Sequence, residues 1–128
     1  MSLVHVEQLR DIAEVEFADI VVEAFIPDLN ELRIILADGS FVDVWFSLKL
    51  QGRYSFHWER RAIDGTIYRH DNAPHRRWES VATFPRHFHN GSEANVSESH
   101  LSPVPETALR EFLAFVRATL GTSAGSPH

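Results

Sequence analysis

Hydrophobic and polar residues alternate along much of residues 20–60, as they do in β-strands with one buried face. Turn-forming residues interrupt the alternation, and Asp38-Gly39 is typical of a tight hairpin. Three or four consecutive antiparallel strands are therefore predicted, from the segments at residues 20–26, 31–37, 41–48 and 53–60. Two further strands are predicted at residues 66–70 and 78–84, the second weakened at its end by Pro85.

The alternation also assigns side chains to the two faces of the sheet. In the third strand the apolar face carries Val42, Val44, Phe46 and Leu48. In the fourth strand it carries Tyr54, Phe56 and Trp58, and the opposite face carries Ser55, His57 and Glu59. One face is thus expected to pack on a core, while the other presents polar groups.

Two segments with helical spacing flank the strands. The first, at residues 4–13, has Val6, Leu9 and Ala13 on one side. The second follows Pro105 and ends at Gly121, where a C-terminal cap is expected. Its apolar stripe consists of Leu109, Phe112, Leu113, Val116 and Leu120.

These elements predict an α+β fold in one domain over residues 1–121, followed by a disordered tail at residues 122–128. The predicted core is a curved, mainly antiparallel meander of about five to seven strands. An N-terminal helix and a C-terminal amphipathic helix accompany it, and at least the latter is expected to pack on one face of the sheet.

Composition and charge narrow the class of protein. The chain has 128 residues and no cysteine, which excludes disulfides and thiolate sites. It shows neither the pattern of a signal peptide nor an apolar run of the length that a membrane span needs, about 18 residues. The expectation is a cytoplasmic protein with no membrane contact.

The charge is unevenly distributed. Residues 1–43 carry ten acidic and two basic residues, a net −8, whereas residues 44–92 carry eight basic and four acidic residues, a net +4. Eleven of the twelve basic residues are arginine, which favours bidentate contacts with anions.

The positive charge coincides with a histidine-rich segment at residues 67–91. This segment contains His70, His75, His87 and His89 together with Arg69, Arg76, Arg77 and Arg86. Histidine exchanges protons near neutral pH and arginine binds phosphate, so the segment is the candidate functional region. We expect these four histidines and His57 to face a common cleft.

Two kinds of chemistry fit this segment. If residues 87–89 are extended, His87 and His89 are exposed on one strand face, where they can bind a metal with His75 or Asp71 as a third ligand. The H-x-H spacing is generic, however, and the nearby arginines would repel a dication. The sequence therefore favours a site without a metal or other cofactor.

Metal-independent cleavage of a phosphodiester needs a base, an acid and a means of stabilising the phosphorane. His75 with His87 or His89 would transfer protons, and Asp71 would orient a histidine. The phosphate would be bound by Arg69, Arg76, Arg77 and Arg86, and bases would stack on Tyr68 or Trp78.

Several of these residues also resemble a known family. A Tyr-Arg-His-Asp-Asn-Ala-Pro-His run occupies residues 68–75, Thr-Phe-Pro-x-His-x-His occupies residues 83–89, and Val-x-x-Ser occupies residues 96–99 ahead of the last helix. This combination resembles the TumE family, small proteins that act as toxins in toxin–antitoxin pairs. The resemblance implies a toxin whose partner is an antitoxin protein encoded nearby.

Three functional hypotheses remain after these observations. The first is a toxin that acts as a metal-independent ribonuclease, with RNA as a partner. The first alternative is a non-catalytic module that binds nucleic acid or protein through an arginine-rich face. The second alternative is a metal-dependent hydrolase at His75, His87 and His89. A homodimer is compatible with each of them.

Overall fold

A computed structural model describes residues 4–124, and it contains one antiparallel sheet of seven strands. Each strand pairs with the next one along the chain, so the sheet is an open meander with β1 and β7 at its edges. The strands are β1 (Val21–Asp28), β2 (Glu31–Leu36), β3 (Phe41–Phe46), β4 (Tyr54–Arg60), β5 (Thr66–Asp71), β6 (His87–Gly91) and β7 (Val96–Glu98). The predicted meander is confirmed.

Both long helices pack on the same face of the sheet. They are α1 (Val6–Glu16) and α3 (Pro105–Ala124), and a single turn, α2 (Arg61–Asp64), joins β4 to β5. The apolar stripes of α1 and α3 meet the buried side chains of β2, β3 and β4 in one hydrophobic cluster. The predicted α+β architecture is therefore confirmed, and α1 continues three residues beyond the predicted end at residue 13.

The predicted face assignment is correct within the strands. Val42 and Val44 on β3 and Phe56 and Trp58 on β4 are buried in the core, and the register places Val42 opposite Trp58. Leu48 is an exception, since its side chain is 50 % exposed. β3 ends at Phe46, and alternation no longer applies once the chain enters the following turn.

The strand predicted at residues 78–84 is wrong. A 3₁₀ helix occupies Arg76–Trp78, and further turns follow it. The backbone N–H groups of Trp78, Val81 and Phe84 each bond the carbonyl three residues earlier, at 2.9–3.0 Å. Because these donors are used locally, they cannot pair with a neighbouring strand, and the segment forms a connection between β5 and β6.

The predicted cap at Gly121 is also wrong. α3 continues through Gly121 to Ala124, and Gly121 does not have the positive φ of a left-handed cap. The predicted tail therefore begins inside the helix, and residues 125–128 lie outside the described part of the chain.

A buried hydrogen-bond chain fixes the β2–β3 hairpin to β4. Gly39 has φ +89°, as the predicted Asp38-Gly39 hairpin requires. The hydroxyl of Ser40 donates to the Asp38 carboxylate and accepts the indole N–H of Trp58 at 2.9 Å. Trp58 is fully buried, so no water can replace this acceptor.

We expect Ser40→Ala to lower the free energy of unfolding by about 1–3 kcal/mol, because it leaves the indole N–H buried without an acceptor. Urea denaturation followed by tryptophan fluorescence measures the change. Ser80→Ala, at an exposed position in the β5–β6 connection, is the control and should change stability by about 0.5 kcal/mol or less. Equal stability of the two variants would contradict the role of Ser40.

Candidate functional site

The face of the sheet opposite the core carries a group of polar side chains on β4, β5 and β6. Alternation along each strand directs His57, Arg69, Asp71, His87 and His89 to this face. The register places Arg69 between His57 and His89, and it pairs Asp71 with His87. Residues that are far apart in the sequence thus become neighbours across three adjacent strands.

Asp71 lies at the centre of this group. Its Oδ1 is 3.2 Å from His87 Nε2, and its Oδ2 is 3.6 Å from His89 Nε2. Oδ1 also accepts the backbone N–H of Ala73 at 3.0 Å, and Oδ2 accepts Nε of Arg69 at 3.0 Å. One ligand atom from each of Asp71, His87 and His89 lies within 4.8 Å of the other two.

The Asp71–His87–His89 cluster is buried. The exposed fractions are 9 % for Asp71, 1 % for His87 and 4 % for His89. The expectation that the two histidines are exposed on their strand face is therefore wrong, because the β5–β6 connection folds back over them. Trp78 of that connection has its ring centroid 6.3 Å from that of His87 and 5.9 Å from that of His89.

Backbone carbonyls fix the orientation of both imidazoles. His87 Nδ1 is 2.8 Å from the carbonyl oxygen of Pro85, and His89 Nδ1 is 2.9 Å from that of Glu93. A carbonyl oxygen only accepts hydrogen bonds, so Nδ1 must carry the proton in each ring. In a neutral ring this leaves the lone pair on Nε2, directed at the Asp71 carboxylate.

The surroundings of Asp71 keep its carboxyl group ionised. Burial alone would raise its pKa, but a protonated His89 imidazole, the Ala73 N–H and the guanidinium of Arg69 outweigh burial and lower the pKa to about 2. Arg69 is itself held by a second carboxylate, that of Glu93. The Arg69 guanidinium is thus already paired with two carboxylates, and its role as a phosphate ligand stays a prediction.

A polar cleft of about 520 Å³ opens over the Asp71–His87–His89 cluster. Among the residues that line it are Trp45, Arg53, His75, Arg77 and Trp78. His75 and Arg77 are exposed, and the Arg77 guanidinium carbon lies 4.6 Å from the centre of the Trp78 ring. The polar cleft therefore has a buried acidic and imidazole floor with a basic and aromatic rim.

Three arginines at or beside the polar cleft are free to bind an anion. In the described part of the chain no carboxylate lies within 4.0 Å of the guanidinium nitrogens of Arg53, Arg76 or Arg77. Arg53 and Arg77 line the polar cleft, and Arg76 is exposed and precedes Arg77 in the chain. Of the four arginines predicted to bind phosphate, Arg76 and Arg77 keep an unpaired guanidinium near the site.

The expectation that His70 shares the cleft is wrong. Its side chain points to the core face, where its ring stacks on that of Phe88 with the two ring centroids 4.2 Å apart. Its Nδ1 is 2.7 Å from the Ser99 hydroxyl oxygen. Burial, aided by the positive charge of Arg86, lowers the pKa of His70 to about 4. His70 is therefore a neutral packing residue at neutral pH.

Two other predicted site residues lie on the core side of the sheet. Tyr68, which was predicted to stack on a base, packs against Trp58 and Phe115, with ring centroids 5.3 Å and 5.2 Å away. Arg86 donates to the backbone carbonyl of Leu101. Even-numbered positions of β5 and the residues flanking His87 face the helices, which separates these residues from the polar cleft.

Comparison with known proteins gives one clear result. The TumE toxin family matches residues 6–120, nearly the whole chain. The chain belongs to the TumE family. No curated protein and no solved structure matches it. The family is one of toxins, and it implies an antitoxin partner in general terms. Within the described residues, no helix is both long and apolar enough to cross a bilayer.

The structure adds three residues to the site of this TumE-family toxin. Trp45 lies between Val44 and Phe46, so alternation along β3 directs it to the face that carries the cleft. Arg53 precedes β4, and only the fold brings it to the cleft. Glu93 reaches Arg69 from the turn after β6, and no motif in the sequence indicates this contact.

Proposed function

We propose that this TumE-family toxin cleaves RNA in the polar cleft above the Asp71–His87–His89 cluster. The observation that carries the proposal is the combination within one cleft of a buried His–Asp–His group, unpaired arginines and partly exposed aromatic rings. A structural ion-pair network alone has no need for guanidinium groups without a partner. The site would act in the cytoplasm, where a toxin meets RNA.

The rim of the polar cleft suits a single RNA strand. Arg53 and Arg77 can each bind phosphate oxygens in bidentate fashion. Trp45, which is 37 % exposed, and Trp78 can stack on bases that are splayed out of a helix. Stacking is tolerant of base identity. This arrangement therefore favours binding of single-stranded RNA of any sequence, and it does not favour recognition of one particular sequence.

The most accessible imidazole in the polar cleft is that of His75, and this makes it the candidate base. It would take the proton from the ribose 2′-hydroxyl. The 2′-oxygen then attacks phosphorus, the bond to the 5′-oxygen breaks, and that oxygen leaves with a proton from solvent. His87 and His89 direct Nε2 at Asp71, so neither ring serves as a free acid or base in this reaction. This chemistry does not require a homodimer. Light scattering would show whether the chain forms one.

The reaction is tested with the purified chain and a single-stranded RNA oligonucleotide. We expect fragments that end in a 2′,3′-cyclic phosphate and a free 5′-hydroxyl. The same oligonucleotide with 2′-O-methyl groups is the matched control and should stay intact, because it lacks the nucleophile. Cleavage of both, or of neither, would overturn the proposed reaction. RNA binding without cleavage would favour the non-catalytic alternative.

The phosphate contacts have a separate test. Arg77→Ala should weaken binding of a non-cleavable single-stranded RNA and reduce the slope of log affinity against log salt by about 1, since one charged contact is removed. Fluorescence anisotropy over a range of salt concentrations measures both quantities. Arg10→Ala on α1 is the control, because α1 packs on the opposite face of the sheet and Arg10 does not line the polar cleft. An unchanged slope for Arg77→Ala would argue against a phosphate contact.

A further inference from the structure

The Asp71–His87–His89 cluster has the composition and geometry of a metal centre. We infer that Asp71, His87 and His89 bind one divalent transition-metal ion of the zinc type through a carboxylate oxygen and the two Nε2 atoms. The geometry thus favours the metal-dependent alternative over the cofactor-free site expected from the generic H-x-H spacing, and Asp71 replaces His75 as the third ligand.

The separations between the ligand atoms fit a common ion. Zinc lies about 2.0–2.2 Å from nitrogen and oxygen ligands, so two ligands of one tetrahedral ion are about 3.3 Å apart. The two distances from Asp71 oxygens to His87 Nε2 and His89 Nε2 are 3.2 Å and 3.6 Å. The whole set spans at most 4.8 Å. Because the two short distances involve different oxygens, Oδ1 towards His87 and Oδ2 towards His89, one ion bound by both imidazoles would either contact both carboxylate oxygens or require the carboxylate to turn.

Direct hydrogen bonds explain these separations less well. A charge-assisted bond between imidazole and carboxylate is about 2.7–2.9 Å long. The His89–Asp71 separation of 3.6 Å is too long for such a bond. With Nδ1 of each ring bonded to a carbonyl, Nε2 can donate to the carboxylate only when the ring is protonated, and a neutral ring instead presents a lone pair, which is a repulsive contact. A cation between these groups turns that contact into an attractive one.

The orientation of the rings is the one that metal-bound histidines have. A ligating imidazole usually donates its other N–H to a carbonyl or carboxylate, and this fixes the ring and its tautomer. Here the carbonyls of Pro85 and Glu93 perform this function for His87 and His89. The cluster is therefore arranged for binding before any ion arrives.

The local charge also permits a dication. The arginines nearby were the main argument against a metal, but the guanidinium closest to the cluster, that of Arg69, is offset by Glu93 as well as by Asp71. With neutral imidazoles, Asp71, Glu93 and Arg69 leave a net charge of −1, which favours a cation. Arg77 is exposed and lies over Trp78 at the rim.

The ligand set selects the kind of ion and leaves room for a substrate. Two imidazoles and one carboxylate suit zinc and its first-row neighbours, whereas magnesium and calcium require oxygen ligands. Three protein ligands would leave a fourth position, and all three residues line the polar cleft through which a substrate would enter. The role of the ion rests on the proposed function: as a Lewis acid it would stabilise the charge on the phosphorane oxygens.

Metal binding is tested directly on the full chain, purified through a tag without histidines and freed of metal with a chelator. A titration with zinc chloride, monitored by calorimetry, should show about one equivalent of zinc bound per chain. His89→Asn and Asp71→Asn should each weaken zinc binding by about tenfold or more. His100→Ala is the matched control at an exposed histidine and should bind zinc like the wild type. Thermal unfolding confirms that each variant is folded.

The outcomes separate the metal site from the proposed reaction. Absence of zinc, manganese and nickel binding by the folded wild type would overturn the inference. Equal zinc binding by both cluster variants would overturn it too, since the ion would then be bound elsewhere. Stoichiometric zinc without RNA cleavage would leave the metal site and refute the ribonuclease. RNA cleavage that persists after chelation, in a chain that binds no metal, would support the ribonuclease and refute the metal site.

Discussion

His89→Asn is expected to abolish growth inhibition and to lower the rate of RNA cleavage by about a hundredfold or more, because it removes one of the three proposed metal ligands. Asparagine keeps an amide N–H near the position of Nδ1, so the hydrogen bond to the Glu93 carbonyl survives. It has no counterpart of Nε2, so the atom that faces Asp71 is lost. Growth after induced expression, together with RNA cleavage by the purified variant, measures the effect.

Asparagine is a better choice than alanine at this position because His89 is buried. Alanine would leave the Glu93 carbonyl without its donor and would confuse loss of function with loss of stability. The variant must accumulate to the same level as the wild type, and His100→Ala should remain toxic. Toxicity that survives His89→Asn but disappears in Arg53→Ala or Arg77→Ala would instead support a toxin that only binds its target.

The strands were predictable because successive side chains of a strand point to opposite faces of the sheet. Once the buried face is known, every side chain of the strand is assigned. Val42 and Val44 on β3 and Phe56 and Trp58 on β4 follow this rule, and the Asp38-Gly39 hairpin fixes the register locally. The same rule placed His87 and His89 on one strand face. Local signals were therefore sufficient to predict most of the sheet, including the shared strand face of His87 and His89.

The failures have a different physical cause, which is competition from the rest of the chain. The residues predicted as a strand at 78–84 form successive turns because the segment has to cross the site face, a requirement that is absent from its own sequence. His70 and Tyr68 lie in the histidine-rich segment but on the core face. Sequence proximity suggested a shared cleft, whereas alternation within β5 separates them from Asp71.

The partners of Asp71 could not be read from spacing for a related reason. Asp71 and His87 are paired by the β5–β6 register, and Glu93 reaches Arg69 from a turn. These contacts depend on the length of the β5–β6 connection. The argument that arginines repel a metal depended on which arginines are neutralised, and only the fold shows that Arg69 is.

Phe112→Ala should cause the largest loss of stability among the changes considered, about 3–5 kcal/mol. Phe112 is 1 % exposed and joins α3 to the sheet, with its ring 6.2 Å from Phe56 on β4 and 5.7 Å from His70 on β5. Truncation removes this contact and leaves a cavity between helix and sheet. Urea denaturation should show a lower midpoint with an unchanged dependence on urea concentration.

The position of Phe112 also allows scaffold and site to be separated. Because its side chain lies on the core face, the folded fraction of Phe112→Ala at low temperature should bind zinc with wild-type affinity. Phe25→Ala on β1 is the matched control, since Phe25 is 38 % exposed and should cost about 1 kcal/mol or less. Similar small losses for both phenylalanines would mean that α3 does not dock through Phe112. Loss of zinc affinity in the folded variant would mean that the cluster depends on helix packing beneath β5, and not only on the register of β5 and β6.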